Sequence, residues 1–233
     1  MVGRQDTIVL LLAVVGAGVD AVMITAFGVL TAAQTGNTIL LGVAIGQGRW
    51  GAGLAAGASV IGYVVGTGVG EWIIEGGGPR RGGPPFVARA LGAEMLLLAL
   101  VLLMWRLLGL ADEPAGQDAL VALAAVGMGI QSAVTLRLHA GPTTTYVTGT
   151  LTTFMTGMIR RLRWSGPEPC PMNGRERVAS TERERPWIYG ATWAAYAAGA
   201  VVTALLAVRS AEAALLLPIA VLAAVMATTY VPS

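Results

Sequence analysis

Apolar residues run along this chain in blocks long enough to cross a bilayer, broken by short polar stretches. A hydrocarbon core about 30 Å thick needs about 20 apolar residues in a helix. Windows of that length pick out six spans, at 7–28, 51–74, 87–110, 117–136, 187–208 and 211–230. Two shorter apolar segments, 35–48 and 146–159, each follow a polar stretch of small residues. At about 1.5 Å per residue, 14 residues cover only about 21 Å, so these two decide the topology.

Charge gives the orientation. Arg160, Arg161, Arg163, Arg175, Arg177, Arg183 and Arg185 crowd one loop (160–186), and Arg80, Arg81 and Arg89 lie in or beside another (75–87), whereas Asp112, Glu113 and Asp118 have no basic neighbour. Arg-rich loops stay cytoplasmic. If both short segments crossed, Arg80 and Arg81 would lie outside. If each dips in and returns on the same side, both Arg-rich loops, Arg4 and both termini lie inside. The expected fold is therefore an all-α polytopic membrane protein with six transmembrane helices and two re-entrant half-helices in a single membrane domain (1–233). Eight full spans are the alternative.

An internal repeat supports the first arrangement. LLLAVVGAGVD at 10–20 matches VALAAVGMGIQ at 121–131, so that Asp20 aligns with Gln131. Thr35-Gly36-Asn37 aligns with Thr148-Gly149-Thr150, and Ala58-Ser59, Tyr63 and Gly66 align with Ala191-Thr192, Tyr196 and Gly199. The units, about 7–110 and 117–230, would each cross three times, which turns the second upside down. Inverted-topology repeats are common among secondary transporters, whose sites lie where short, interrupted segments correspond. Arg4 ahead of an apolar run also resembles a signal peptide, but cleavage near Ala21 would remove half of a matched pair.

Composition narrows the chemistry. The chain has 233 residues, 55% hydrophobic and 12% charged, with mean hydropathy +0.69, which excludes most soluble and disordered classes. Its 15 basic residues are all Arg and scatter through loops, so the basic balance does not argue for nucleic acid. Cys170 is the one cysteine and His139 the one histidine, too few for a disulfide or a thiolate or imidazole metal site. The GAG and GMG triplets lie inside apolar segments, and neither a nucleophile elbow nor a Walker loop is present. No enzyme activity and no cofactor are expected.

The candidate site lies where the half-helices begin. A helix amino terminus offers free N–H groups and the positive end of the macrodipole, and two of them meeting in a low-dielectric interior suit an anion or a small polar solute. Asp20, Gln34, Thr35, Gly36, Asn37, Gln131, Thr148, Gly149 and Thr150 form the expected solute-binding set, with Asp20 as a coupling or gating group for protons. The bland reading is that these residues cap helices and that Asp20 holds broken backbone. Pro142 and Thr143-Thr144-Thr145 would form the extended lead into the second half-helix. Glu94, the other intramembrane acid, is expected to snorkel to the interface or pair with Arg89. Gly62, Gly66 and Gly70 make a small-residue ridge for helix contact, within the monomer or as a homodimer surface. Trp50, Trp72, Trp105, Trp164 and Trp187 fall at segment ends, as an aromatic belt requires.

GAGVDA, QTGNTILLG at 34–42, GMGIQSA at 127–133 and YVTGTLT at 146–152 together resemble the YoaK family of bacterial membrane proteins, over nearly the whole chain. The resemblance implies a bacterial inner-membrane location and about six spans, with Asp20, Thr35, Gly36, Asn37, Gln131, Thr148 and Gly149 as signature positions. The family has no assigned function and implies no substrate. The leading expectation is a transporter or channel for a small polar or anionic solute. The rival is a membrane scaffold or regulatory protein with a structural polar core and the Arg-rich loop as its docking surface. Aquaporin-like and formate-channel folds also combine three spans with re-entrant segments, an analogy of fold alone.

Overall fold

In the computed structural model the described residues, 3–76, 84–138, 147–163 and 186–230, are helical apart from short connections. The helices are α1 (Arg4–Phe27), α2 (Gln34–Gly46), α3 (Trp50–Glu75), α4 (Pro84–Leu108), α5 (Pro114–Arg137), α6 (Val147–Arg163), α7 (Pro186–Ala207), the single turn α8 (Ala211–Ala214) and α9 (Leu216–Tyr230). Among the described residues six stretches are long and apolar enough to cross a membrane: α1, α3, α4, α5, α7 and the α8–α9 run. They match the six spans expected from the sequence, and the chain is a multi-pass helical membrane protein.

Two of these helices form the centre. The most apolar windows of α1 and α5 are each 72% buried, against 22–39% in the other four. The outer helices instead expose Leu54, Ile61 and Val65 on α3, Leu96 and Leu103 on α4, and Val201 and Leu205 on α7, as lipid-facing surfaces do.

Local chemistry sets the helix ends. Asp6 accepts from the Gly3 N–H at 2.8 Å at the start of α1, and Gly28, at φ 71°, ends that helix in the left-handed region, where glycine carries no Cβ penalty. The last span was expected as one helix over 211–230 but breaks at Leu215. Pro218 has no N–H to give the Ala214 carbonyl, so the ladder restarts there. At the other boundary in question, Arg160, Arg161 and Arg163 continue α6 rather than opening a loop, because arginine is a good helix former. Arg80, Arg81, His139, Pro142, Thr143-Thr144-Thr145, Trp164, Cys170 and the arginines from Arg175 to Arg185 lie outside the described residues.

Helix directions follow from which residues meet. Gly62, Gly66 and Gly70 lie against Ala122, Val126 and Ile130, and Arg137 bridges Glu71 and Glu75 at 2.6 and 2.9 Å, so α3 and α5 run parallel. In the same way α7 runs parallel to α1, with Gly199 on Val14 and Thr203 on Gly18. By contrast α1 and α5 are antiparallel: Gln131 reaches the Leu12 carbonyl at 3.0 Å, while Val29, just past the end of α1, packs with Val121. Gly92 against Met226 and Arg106 on Glu212 at 3.2 Å make α4 and α9 antiparallel. The Phe27 and Trp105 rings, 4.8 Å apart, join the carboxyl ends of α1 and α4.

The glycine ridge on α3 is spent inside the monomer. A Cβ at Gly62, Gly66 or Gly70 would fall 2.4, 2.0 or 2.9 Å from atoms of α5. Of the two contacts expected of this ridge, the one within the monomer is present, with α5 filling the groove.

Candidate functional site

Between α1 and α2 the chain leaves the helix for residues 28–33. Such backbone, where it is buried, must find partners inside the protein. Asp20, seven residues and about 10 Å before the end of α1, receives it. Its Oδ1 accepts from the N–H of Thr31 at 2.6 Å, from the N–H of Ala32 at 2.7 Å and from the Thr31 hydroxyl at 3.2 Å. Its Oδ2 accepts from the Ala33 N–H and the Tyr196 hydroxyl of α7, each at 3.2 Å. The chain therefore turns back along α1 before α2 sets off. Asn37 of α2 meets Ser59 of α3, and further on Gly53 of α3 meets Ala44. So α2 runs antiparallel to α3 and in the direction of α1.

The remaining polar atoms of the return segment are met by the QTGN motif. Asn37 accepts from the Leu30 N–H at 2.9 Å and donates to the Leu30 carbonyl at 2.6 Å, the two bonds a neighbouring strand would supply. The Ser59 hydroxyl donates to the same carbonyl at 2.6 Å and accepts from Asn37 at 2.8 Å. Gln34 donates to the Thr31 carbonyl at 2.7 Å and accepts from Asn37 at 3.0 Å. Side chains from α1, α2, α3 and α7 thus hold one stretch of opened backbone, and Asp20, Thr31, Asn37 and Ser59 are all buried. Ser59→Ala is expected to lower stability by about 1–3 kcal/mol, since the Leu30 carbonyl and the Asn37 amide lose a buried partner. A thermal midpoint equal to that of the native chain would contradict this account.

The other expected site residues divide. Gly36 lies close under the return segment, where a Cβ would meet Leu30 Cδ1 at 2.7 Å. Thr35 is exposed and contributes nothing to the clamp. Gln131, the repeat partner of Asp20, is buried on α5 and donates across to α1 at Leu12. Thr150 is buried near the start of α6, Gly149 is half-buried and Thr148 is exposed. Among the described residues α2 packs chiefly on α3 and α6 chiefly on α7.

Thr31, Ser59 and Tyr196 are the working residues that the sequence reading did not assign to the site. Ser59 and Tyr196 did stand out, as marks of the repeat. Their repeat partners act differently: Thr192 bonds its own helix at the Ile188 carbonyl, 2.8 Å away, and Tyr63 meets Ser132 at 2.6 Å. Nothing in the sequence distinguishes Thr31.

A family model described as "Protein of unknown function (DUF1275)" matches residues 8–228. No curated protein and no solved structure matches the chain.

Proposed function

We propose, for a chain that belongs to the DUF1275 family of unknown function, that it is a non-enzymatic membrane transporter or channel for a small polar or anionic solute. The proposed architecture is an inverted-topology repeat with two re-entrant half-helices, α2 and α6. The helix directions support it. With α1 taken as forward, α3 runs backward and α4 forward; in the second half α5 runs backward, α7 forward and α9 backward. Six crossings with two re-entrant segments give this order. Eight alternating crossings would make α1 parallel to α5 and α4 parallel to α9. The packing partners also exchange between halves: α1 on α7 with α3 on α5, α2 on α3 with α6 on α7, and α4 on α5 with α9 on α1. The YoaK resemblance agrees with this family and supports a bacterial inner membrane, with the termini on the Arg-rich cytoplasmic side.

The observation that carries the reading is the carboxylate of Asp20 seated on the amides of Thr31, Ala32 and Ala33, the stretch of opened backbone that leads into α2. Those amides are what an incoming anion or polar solute would use, and the protein has placed its own tethered anion there. Asp20 then acts as a gate: solute gains the helix start only when the carboxylate withdraws. Proton uptake by Asp20 is one way to release it, which couples solute movement to protons.

The test is flux of formate, chloride and glycerol into proteoliposomes. Native protein is expected to carry one of them, with Asp20→Asn altering its pH dependence and Thr35→Val or Thr148→Val reducing flux without loss of folded protein. Flux that Asp20→Asn leaves unchanged at every pH overturns the gate. One observation favours the scaffold reading: each polar backbone group of the return segment at Leu30, Thr31, Ala32 and Ala33 already has a partner. It predicts no flux of any probe, and loss of function when residues 164–185 are deleted.

A further inference from the structure

Glu94 neither snorkels nor pairs with Arg89. Helix α4 begins at Pro84, so Glu94 lies about 15 Å from its start and about 21 Å from its end, in the middle of the span. It is 0% exposed, and neither carboxyl oxygen has a hydrogen-bond partner. Arg89, on the same helix, is exposed and lies over the Phe86 ring at 5.2 Å.

The surroundings are apolar and close. Opposite Glu94 on α5 stands Gly127, where a Cβ would lie 3.7 Å from the Glu94 Cγ and 3.9 Å from the Leu97 Cβ, so the two helices are in direct contact here. One turn along α5, Gln131 donates to Leu12 instead. The charged groups of the packed elements are engaged or distant. Arg106 of α4 pairs with Glu212 of α8, Arg137 of α5 pairs with Glu71 and Glu75 of α3, and Asp112 and Asp118 lie beyond or near the far end of α4. Helix α9 brings no charged residue over Leu216–Tyr230.

We propose that Glu94 is an intramembrane proton-binding site, separate from the Asp20 centre, whose proton holds the α4–α5 contact at Gly127 closed. Among the described residues no group of three His, Cys, Asp or Glu side chains gathers, so a multivalent cation has no ligand set, whereas one carboxyl suffices for a proton. An ionised carboxylate here would be cut off from bulk solvent and would find no protein donor, and apolar surroundings penalise such a charge far more than a neutral acid. In the packed state Glu94 therefore carries its proton. Releasing it requires water or a donor to reach the carboxyl, which parts α4 from α5 beside Gly127. Proton occupancy and helix contact are then two faces of one equilibrium. The inference stands whether or not the protein transports a solute.

Dicyclohexylcarbodiimide tests it on the full-length protein in liposomes. The reagent adds the O–H of a protonated carboxyl across its C=N bond, and the O-acylisourea rearranges to an N-acylurea with no group leaving. Peptide mass analysis is expected to find the adduct on Glu94 and not on Asp20, to find it falling toward background as pH rises, and to find none from a water-soluble carbodiimide. Infrared spectra of the unlabelled protein near neutral pH should show a protonated-carboxyl band that Glu94→Gln removes. No such band in the native protein, a band that Glu94→Gln leaves intact, or equal labelling by the water-soluble reagent overturns the proposal. The native-protein spectra and labelling decide the matter even if the variant does not fold.

Discussion

Asp20→Ala is expected to destabilise the protein by about 3–9 kcal/mol, the largest effect of any single truncation considered. Three N–H groups, those of Thr31, Ala32 and Ala33, take their acceptor from this carboxylate. Each buried donor left without a partner costs about 1–3 kcal/mol. Burial keeps solvent from replacing what is lost. Asp20→Asn should be milder. Its oxygen can keep the two short bonds to Thr31 and Ala32, the Tyr196 hydroxyl can turn to accept from the new amide, and only the Ala33 N–H then faces a donor. The order native, Asn, Ala in thermal midpoint, read by tryptophan fluorescence in lipid nanodiscs, is the expected result. An alanine variant as stable as the native protein would mean that the carboxylate does not hold the opened backbone. The series also separates structure from gating: if Asn folds well and alters flux, Asp20 has both roles.

The spans were legible because length and apolarity suffice to find them, and no long-range contact is needed. The polar character of the residues that open α2 and α6 was legible for the same local reason. What Asp20 touches was not: Thr31 is one threonine in an unremarkable stretch, and Tyr196 lies 176 residues away. The repeat brought Ser59 and Tyr196 into view, but aligned positions share a fold and need not share a task, as Thr192 and Tyr63 show. Glu94 was misjudged by a boundary. Reading the span from Val87 placed it nearer the interface, yet prolines fit the first turn of a helix, so α4 starts three residues earlier and Glu94 lies about 15 Å along it. Gly62, Gly66 and Gly70 announced a close contact correctly, and only the fold could say that the partner is α5.

That contact yields the second large effect. At Gly66 a Cβ would lie 2.0 Å from the Val126 carbonyl oxygen and 2.7 Å from its Cα, and at Gly129 it would lie 2.2 Å from the Tyr63 oxygen. These neighbours are backbone, so no side chain can swing aside. The helices must separate by about 1 Å at Gly66 to reach the 3.0 Å that real Cβ contacts respect. Overpacking of this kind costs about 1–3 kcal/mol or more, against a helix-propensity gain of about 1 kcal/mol for replacing glycine by alanine. Gly66→Val, bulkier and without that full gain, is expected to lower the thermal midpoint strongly. Separation of α3 from α5 would also loosen the Tyr63–Ser132 contact and the Arg137 bridge at the helix ends. Gly68, two residues on, has nothing within 4 Å of its Cβ position, so Gly68→Ala should be neutral or stabilising by up to about 1 kcal/mol. Equal midpoints for Gly66→Val and Gly68→Ala would refute the backbone-to-backbone packing of α3 on α5. With it would fall the parallel pairing from which the order of crossings was deduced.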